Sequence, residues 1–256
     1  MNYSPRFCSL GLLVTALSGC GGALYQKEGN ITSTKPAPAH NDVTEKASRE
    51  TLKLILDASV KVKGTAVIKD LDSNEELKFG HGTASGLALS NNYVLTVMHM
   101  LPAPLGRHEK IEVLYSNIVV EEYNAKVVKS DPSKDLALLK VENCPREQCL
   151  TPYAGAIAGK IEVGYLGMGA GYPFGGSETL FKGYVAGSSH DSEKRFTLID
   201  ASISFGNSGS PFFVFREGKP FLAGLVQTMQ MIKNKEQGTL NTGMAGVTPL
   251  EDFTAF

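Results

Sequence analysis

Short apolar segments alternate with polar turns along most of the chain, from about residue 51 to its end. The segments are rich in Val, Ile, Leu, Phe and Thr, and the turns between them contain Gly, Asn, Asp and Pro, which is the pattern of β-strands joined by turns. The predicted strands are 62–69, 76–79, 82–89, 93–96, 111–115, 117–129, 135–140, 179–187, 196–201, 212–215, 221–227 and 242–247. Short helices are expected within 51–62 and at the end of the chain, over 249–256.

The N-terminus follows a different pattern. Arg6 precedes an apolar stretch over 7–17, which is too short to cross a membrane as a permanent helix and is typical of a targeting segment. The stretch leads to Leu-Ser-Gly followed by Cys20. These residues resemble a bacterial lipobox, after which the cysteine becomes the lipidated N-terminus. The alternatives are an ordinary signal peptide or a buried N-terminal helix.

The resemblance to a lipoprotein carries an expectation about location. Gly21 stands where an aspartate is associated with inner-membrane retention, so the resemblance implies a lipid anchor in the outer membrane of a Gram-negative host, facing the periplasm. The polar residues that follow predict a disordered tether with a reach of roughly 30 Å. The expected organisation is a signal peptide over 1–19, lipidated Cys20 with the tether over 20–50, and a folded domain over 51–256.

Composition narrows the classes of function. The net charge of −1 gives no strong field for nucleic acid or an anionic membrane surface, so no nucleic-acid partner is predicted. The four cysteines are too few for a disulfide scaffold and lack zinc-site spacing, so no metal is predicted. The glycine-rich segment 164–176 is expected to be a turn, because Pro173 and two more glycines follow where a phosphate-binding loop needs a helix. No cofactor is therefore predicted.

The strongest candidate for chemistry is Ser208, which lies in the run Gly-Asn-Ser-Gly-Ser-Pro ahead of the apolar segment 212–215. Glycines around a serine permit a tight turn that presents the hydroxyl just before a strand. The backbone amides of Gly206 and Ser208 are then predicted to point into one small space, where they could hold a developing oxyanion. Turns of Gly, Ser and Asn are also common as plain loops.

Two further residues are candidates for catalysis together with Ser208. His99 ends the β-branched run that begins at Tyr93, and Asp135 opens the apolar segment Leu-Ala-Leu-Leu. The competing residues are His81 and His108, which are read as solvated histidines, and Asp131, which precedes a proline and is read as a turn residue.

With the order His99, Asp135, Ser208, the chain resembles the trypsin-like serine peptidases over roughly residues 60–250. Its motifs are most similar to the bacterial HtrA/Deg proteases and the glutamyl endopeptidase and exfoliative toxin group. The resemblance implies an all-β fold of two antiparallel six-stranded β-barrels, at about 60–141 and 152–250, with a short C-terminal helix. The chain reaches Phe256 without a PDZ module, so peptide-gated activation and cage assembly of the HtrA kind are not expected.

The family implies a role for each residue. Ser208 would be the nucleophile, His99 its base and then the acid for the leaving amine, and Asp135 the group that fixes the histidine tautomer. The resemblance also places Cys144 and Cys149 in the link between the barrels, where they are predicted to form a disulfide in an oxidising compartment, with two free thiols as the alternative.

The resemblance further implies a primary specificity pocket lined by Ser202, Val226, Thr228 and Met229. Ser202 is not an aspartate, so no Lys or Arg preference is predicted. Val226 stands where glutamyl endopeptidases carry a histidine, which disfavours Glu. A small or medium apolar residue is the expected preference.

The chain departs from the family pattern at two places near the site. Asn207 replaces the aspartate that digestive trypsins pair with a newly cut N-terminus, so activation by that ion pair is not expected. Gln227 stands where a serine often hydrogen-bonds the catalytic aspartate, and Val97 and Met98 stand where small residues are usual. These differences put full activity in question without removing a member of the triad.

The predicted function is a serine endopeptidase that cuts envelope or extracellular proteins through an acyl-enzyme intermediate. The predicted partners are a protein or peptide substrate and, through the lipid anchor, the membrane. The alternative is a catalytically silent lipoprotein that uses a protease fold as a binding module. The presence of all three triad residues favours the enzyme.

Overall fold

The structure is a computed structural model that describes residues 48–69, 76–89, 92–101, 108–115, 122–145, 153, 155–191, 194–234 and 238–249. The predicted signal peptide, Cys20, nearly all of the tether, Cys149 and the C-terminal helix lie outside this range. Within the described residues, no helix has the length and apolar character needed to cross a membrane.

A single α-helix, α1 (Arg49–Asp57), precedes the strands in the described part of the chain. Ser48 caps its N-terminus, because the Ser48 side chain accepts a hydrogen bond from the Thr51 backbone N–H at 3.1 Å. Ile55 is fully buried and anchors the helix to the strands. The helix predicted within 51–62 is therefore present, but it ends at Asp57 and the first strand begins earlier than expected.

The first barrel is closed by six antiparallel strands in the spatial order β1-β2-β3-β6-β5-β4. The strands are β1 (Ser59–Lys69), β2 (Glu76–Leu89), β3 (Tyr93–Val97), β4 (His108–Tyr115), β5 (Glu122–Asp131) and β6 (Leu136–Val141). The two predicted segments at 76–79 and 82–89 form one long strand, β2, whose pairing with β1 shifts register at Thr65/Ala66.

The second barrel is closed in the order β10-β11-β12-β9-β8-β7. Its strands are β7 (Leu166–Gly171), β8 (Thr179–Asp191), β9 (Lys194–Ala201), β10 (Pro211–Arg216), β11 (Lys219–Asn234) and β12 (Gly238–Pro249). The prediction of two six-stranded antiparallel barrels is confirmed. The reading of 164–176 as a turn is wrong for its first half, which is β7, while Pro173–Gly175 forms a single 3₁₀ turn.

The two barrels share a third apolar cluster besides their own cores. Strand β3 contributes to two clusters because its successive side chains point to opposite faces. Val94 belongs to the core of the first barrel, whereas Leu95 belongs to the shared cluster. Phe213 enters the same cluster from the second barrel and is fully buried. The shared cluster consists of Ile55, Ala58, Leu87, Leu95, Leu136, Ala170, Phe213, Leu222 and Leu225. Burial of this apolar surface holds the two barrels together.

Candidate active site

His99 and Asp135 are brought together by the pairing of β3 with β6. Val97 at the end of β3 lies opposite Leu136 at the start of β6, so the residues just beyond these two positions are neighbours. The Asp135 carboxylate accepts a hydrogen bond from the His99 backbone N–H at 2.8 Å, and its other oxygen lies 2.6 Å from His99 Nδ1. The two contacts fix the imidazole ring and leave Nε2 on its far side.

The two side chains differ in exposure. The Asp135 side chain is 15% exposed and the His99 side chain 41% exposed. A partly buried carboxylate that is bonded to Nδ1 holds the proton on that nitrogen and leaves Nε2 as the acceptor. His99 is therefore able to act as a base towards a group that approaches from solvent.

Asp135 adopts a left-handed backbone conformation with φ of 57°. This conformation is uncommon outside glycine, although aspartate tolerates it better than most residues. The Asp135 carbonyl accepts from the Met98 backbone N–H at 3.0 Å. The Gln227 side chain, which is buried, donates to the Lys134 carbonyl at 2.5 Å and reaches the Asp135 carbonyl at 3.4 Å. Gln227 thus contacts the backbone of this turn.

The rival carboxylate, Asp131, has a local role. Its Oδ1 accepts hydrogen bonds from the Ser133 hydroxyl at 2.6 Å and from the Lys134 backbone N–H at 3.2 Å. The Ser133 hydroxyl lowers the pKa of Asp131 below its usual value because it stabilises the charged carboxylate. Asp131 closes the turn that delivers Asp135 to β6, which agrees with its reading as a turn residue.

Ser208 lies half-buried on a turn between two glycines in the left-handed region, Gly206 with φ of 93° and Gly209 with φ of 88°. The turn is closed by hydrogen bonds from Asn207 N–H to Ser204 carbonyl at 3.1 Å and from Ser210 N–H to Asn207 carbonyl at 2.9 Å. It is also tied to β11, because the Gly209 N–H donates to the Val226 carbonyl at 2.7 Å. The serine is held on a short, multiply bonded turn.

The Gly206 and Ser208 amides are oriented through the carbonyls of the preceding residues. The Phe205 carbonyl accepts from the Phe174 N–H at 2.5 Å, and the Asn207 carbonyl accepts from Ser210. In a trans peptide the N–H points opposite to the C=O of the same unit, so both amides point away from these partners. Within the described part of the chain, neither amide donates a hydrogen bond to another group. Both remain able to bind an anionic oxygen.

The Ser208 turn lies against the hairpin that leads to His99. The Ser208 carbonyl accepts a hydrogen bond from the Ser85 N–H on β2 at 2.7 Å. A Cβ at Gly209 would lie 2.0 Å from the Ser85 carbonyl oxygen and 2.8 Å from Oγ1 of Thr96, three residues before His99. The lack of a side chain at Gly209 is what allows this close approach between the barrels.

The four residues predicted to line the specificity pocket differ in exposure. Ser202 and Thr228 are exposed and Met229 is half-buried, whereas Val226 is 1% exposed and belongs to the core cluster of the second barrel. Two large side chains near the Ser208 turn are also exposed, Phe205 and Phe174, whose ring centroids lie 6.4 Å apart.

The predicted disulfide involves one described residue. Cys144 follows β6, is buried, and is disulfide-bonded. Its predicted partner, Cys149, lies outside the described residues, so the pairing stays a prediction.

Ser85 was not among the residues that the sequence singled out, although it contacts the Ser208 turn directly. Its context, Gly-Thr-Ala-Ser-Gly ahead of Leu-Ala-Leu, predicts only a strand. A serine between small residues on a strand that leads to His99 is the signal that could have drawn attention to it.

Comparisons with known proteins find peptidases that are similar to this chain. A family model for the trypsin-like peptidase domain matches residues 84–223. The chain is similar to the periplasmic pH-dependent serine endoprotease DegQ of Escherichia coli, with 30% identity over 220 residues that cover 78% of this chain and 44% of DegQ. It is also similar to the chloroplastic Protease Do-like 8 of Arabidopsis thaliana, with 31% identity over 145 residues that cover 51% of this chain and 32% of that protein. The chain spans less than half the length of these two relatives.

The fold is similar to that of a solved protease. The active form of the Rv3671c protease from M. tuberculosis superposes with a TM-score of 0.58 over 80% of this chain and 81% of that chain, at 19% sequence identity. The inactive form gives the same TM-score over 82% of this chain, at 18% identity. At such identities the likeness concerns the fold alone.

The close approach at Gly209 generates a testable prediction. Gly209→Ala is expected to destabilise the protein by about 3 kcal/mol or more, because it adds a backbone strain of about 1–2 kcal/mol to a clash with buried backbone. Gly243→Ala is the matched control, since Gly243 also has a positive φ, 78°, but a Cβ there would meet nothing within 4 Å. We expect it to cost only the strain. Urea unfolding of both variants measures the difference, and equal losses would contradict the role of the inter-barrel contact.

Proposed function

The chain belongs to the trypsin-like peptidase family, and on this premise we propose that it is a serine endopeptidase whose catalytic triad is His99, Asp135 and Ser208. The observation that carries the proposal is the pair of hydrogen bonds from His99 to Asp135, at 2.8 and 2.6 Å, beside a serine turn docked on the same hairpin. This arrangement provides a base, a group that orients the base, and a nucleophile on a rigid turn.

In the proposed reaction, Ser208 Oγ attacks the carbonyl carbon of a substrate peptide bond while His99 Nε2 takes the hydroxyl proton. Asp135 stabilises the resulting imidazolium through Nδ1–H. The amides of Gly206 and Ser208 bind the oxyanion of the tetrahedral intermediate. His99 then gives its proton to the leaving amine, which breaks the C–N bond and leaves an acyl-enzyme. Water, activated by His99, attacks the acyl carbon, and Ser208 leaves with the proton restored.

The proposed substrates are proteins or peptides of the envelope or the extracellular space. The periplasmic location in the name of DegQ supports the compartment. The proposed specificity pocket consists of Ser202, Val226, Thr228 and Met229 and takes a small or medium apolar residue. The proposed Cys144–Cys149 disulfide fits an oxidising compartment.

A fluorophosphonate probe tests the triad directly, because it reacts with activated serines. The full-length chain is expected to be labelled at Ser208, whereas Ser208→Ala and His99→Ala should lose labelling by at least about 10³-fold, in line with the loss of a triad member. Ser188→Ala, which removes an exposed serine on β8, is the control and should be labelled like the parent. Mass spectrometry identifies the labelled residue. A folded parent that is not labelled would favour the alternative, a binding module with a protease fold.

Gln227 is expected to position Asp135 through the backbone of its turn. Gln227→Met keeps the length of the side chain and removes the donor to the Lys134 and Asp135 carbonyls, so kcat should fall roughly 5- to 10-fold with little change in KM, equivalent to about 1 kcal/mol for a lost hydrogen bond. Gln230→Met on the same strand is the control, since the Gln230 side chain has no hydrogen bond to the described residues. Steady-state cleavage of fluorescent casein measures both. If the two variants behave alike, Gln227 has no such role.

We also propose that Cys20 is lipidated and anchors the protein to the outer membrane, facing the periplasm. Cys20→Ala is expected to abolish incorporation of labelled palmitate and to move the protein from the membrane fraction to the soluble fraction, because one acylated residue supplies the anchor. Cys8→Ala is the matched control and should still incorporate the lipid. Membrane association that survives in the Cys20 variant would contradict the anchor.

A further inference from the structure

We propose that Ser85, which lies on the first barrel, is a positioning residue. Its side chain holds in place the oxyanion-binding amides of Gly206 and Ser208 on the second barrel. The proposal rests on the proposed function, since it concerns the same site. Ser85 lies on β2 and is fully buried. Its backbone N–H already donates to the Ser208 carbonyl at 2.7 Å, so its side chain lies directly against the turn that carries the nucleophile.

The Ser85 hydroxyl makes two contacts with the second barrel. It donates a hydrogen bond to the Gly206 carbonyl at 2.9 Å and accepts one from the Tyr172 backbone N–H at 3.0 Å. A hydroxyl has one donor and two acceptor positions, so these two bonds use its single proton and one lone pair. One side chain thus ties the Ser208 turn to Tyr172, the residue that follows β7.

Gly206 depends on such a contact because it has no side chain to fix it. Its φ of 93° is one of several conformations that glycine can adopt, so the orientation of its amide is set by hydrogen bonds to the neighbouring carbonyls. The Phe174 N–H bonds to the Phe205 carbonyl, in the peptide unit before Gly206. The Ser85 hydroxyl bonds to the Gly206 carbonyl, in the peptide unit after it. With both peptide units fixed, the Gly206 N–H is held in one direction before substrate arrives, which is the condition for effective oxyanion binding.

Ser85 is itself held in place. Its carbonyl accepts from the Thr96 hydroxyl, which is buried, at 2.7 Å. Thr96 is on β3, three residues before His99. Hydrogen bonds therefore connect the hairpin that leads to His99, through Ser85, to the Ser208 turn. Substitution of Ser85 by alanine removes only the hydroxyl contacts and leaves both backbone contacts intact. The variant therefore tests the hydroxyl rather than the whole interface.

Ser59 offers a matched control. It is also a buried serine of the first barrel, 1% exposed, and its hydroxyl also donates to a carbonyl of the second barrel, that of Ala170, at 2.9 Å. This bond does not involve the Ser208 turn. Ser59→Ala removes one buried inter-barrel hydrogen bond and Ser85→Ala removes two, so we expect the thermal midpoint to fall in both variants and further in Ser85→Ala.

The experiment compares the full-length parent, Ser85→Ala and Ser59→Ala in cleavage of fluorescent casein and in the rate of labelling by a fluorophosphonate probe. We expect Ser85→Ala to lower kcat and the labelling rate about 10-fold or more with KM within about twofold, which is less than the 10²–10³-fold cost of losing an oxyanion donor outright. Ser59→Ala should stay within about twofold of the parent in both assays. Equal effects of the two variants, or none in either, would overturn the proposal.

Ser85→Cys serves if the alanine variant does not fold. A thiol is a weak donor of similar size, so kcat is expected to fall below that of the parent. A folded cysteine variant with the kcat of the parent would overturn the proposal. A parent that is not labelled by the probe would instead contradict the proposed function, so the two failures are distinguishable.

Discussion

Two turns of the proposed site, those of Asp135 and Ser208, each receive hydrogen bonds from the barrel to which they do not belong. Ser85 reaches from β2 of the first barrel to the Gly206–Ser208 turn, and Gln227 reaches from β11 of the second barrel to the backbone of Lys134 and Asp135. The shared apolar cluster brings the barrels together but has no directional preference. The directional bonds across the interface are what set the position of a histidine on one barrel relative to a serine on the other.

These inter-barrel bonds join neutral groups. The Ser208 turn is held by amides, carbonyls and hydroxyls, and the residue before the nucleophile is Asn207, which is 3% exposed and carries no charge. A buried aspartate at that place would need a cationic partner, because an uncompensated buried charge is costly. The neutral side chain of Asn207 needs no cationic partner. Because Asn207 carries no charge, the turn is held without an ion pair at this position.

The local pattern of apolar segments and turns was sufficient to predict most of the strands. The two barrels, which the structure confirms, were predicted from the family resemblance of the motifs around His99, Asp135 and Ser208, and the triad itself stays a prediction. The sequence was not sufficient for contacts between segments distant in the chain. Gln227 was recognised as a departure from the family, yet only the structure shows that its side chain binds the backbone of the Asp135 turn. For Ser85, the neighbouring residues indicate a strand that leads to His99, but they do not indicate which turn, more than a hundred residues away in the chain, its side chain contacts.

Strand β7 was missed for a different reason, and that reason bears on the site. Alternate positions on β7 are glycines, so the strand lacks the apolar alternation from which strands are recognised. A Cβ at Gly167 would meet the ring of Phe212 at 2.2 Å, and one at Gly169 the ring of Phe181 at 2.4 Å, which shows that aromatic side chains occupy this space. A Cβ at Gly171 would meet Oγ of Ser210 at 2.0 Å and both Asn207 Oδ1 and Ser85 Oγ at 2.9 Å.

The glycine spacing of β7 that looks superficially like a nucleotide loop is thus a packing requirement. Towards the start of the strand, the glycines leave room for the aromatic side chains of the second barrel. At Gly171 the spacing admits the polar side chains that surround the nucleophile turn, Ser85 among them. A larger residue at Gly171 would separate the Ser85 hydroxyl from the turn it contacts. The close packing of β7 against the rest of the second barrel and the position of the candidate oxyanion-binding amides therefore depend on the same sequence feature.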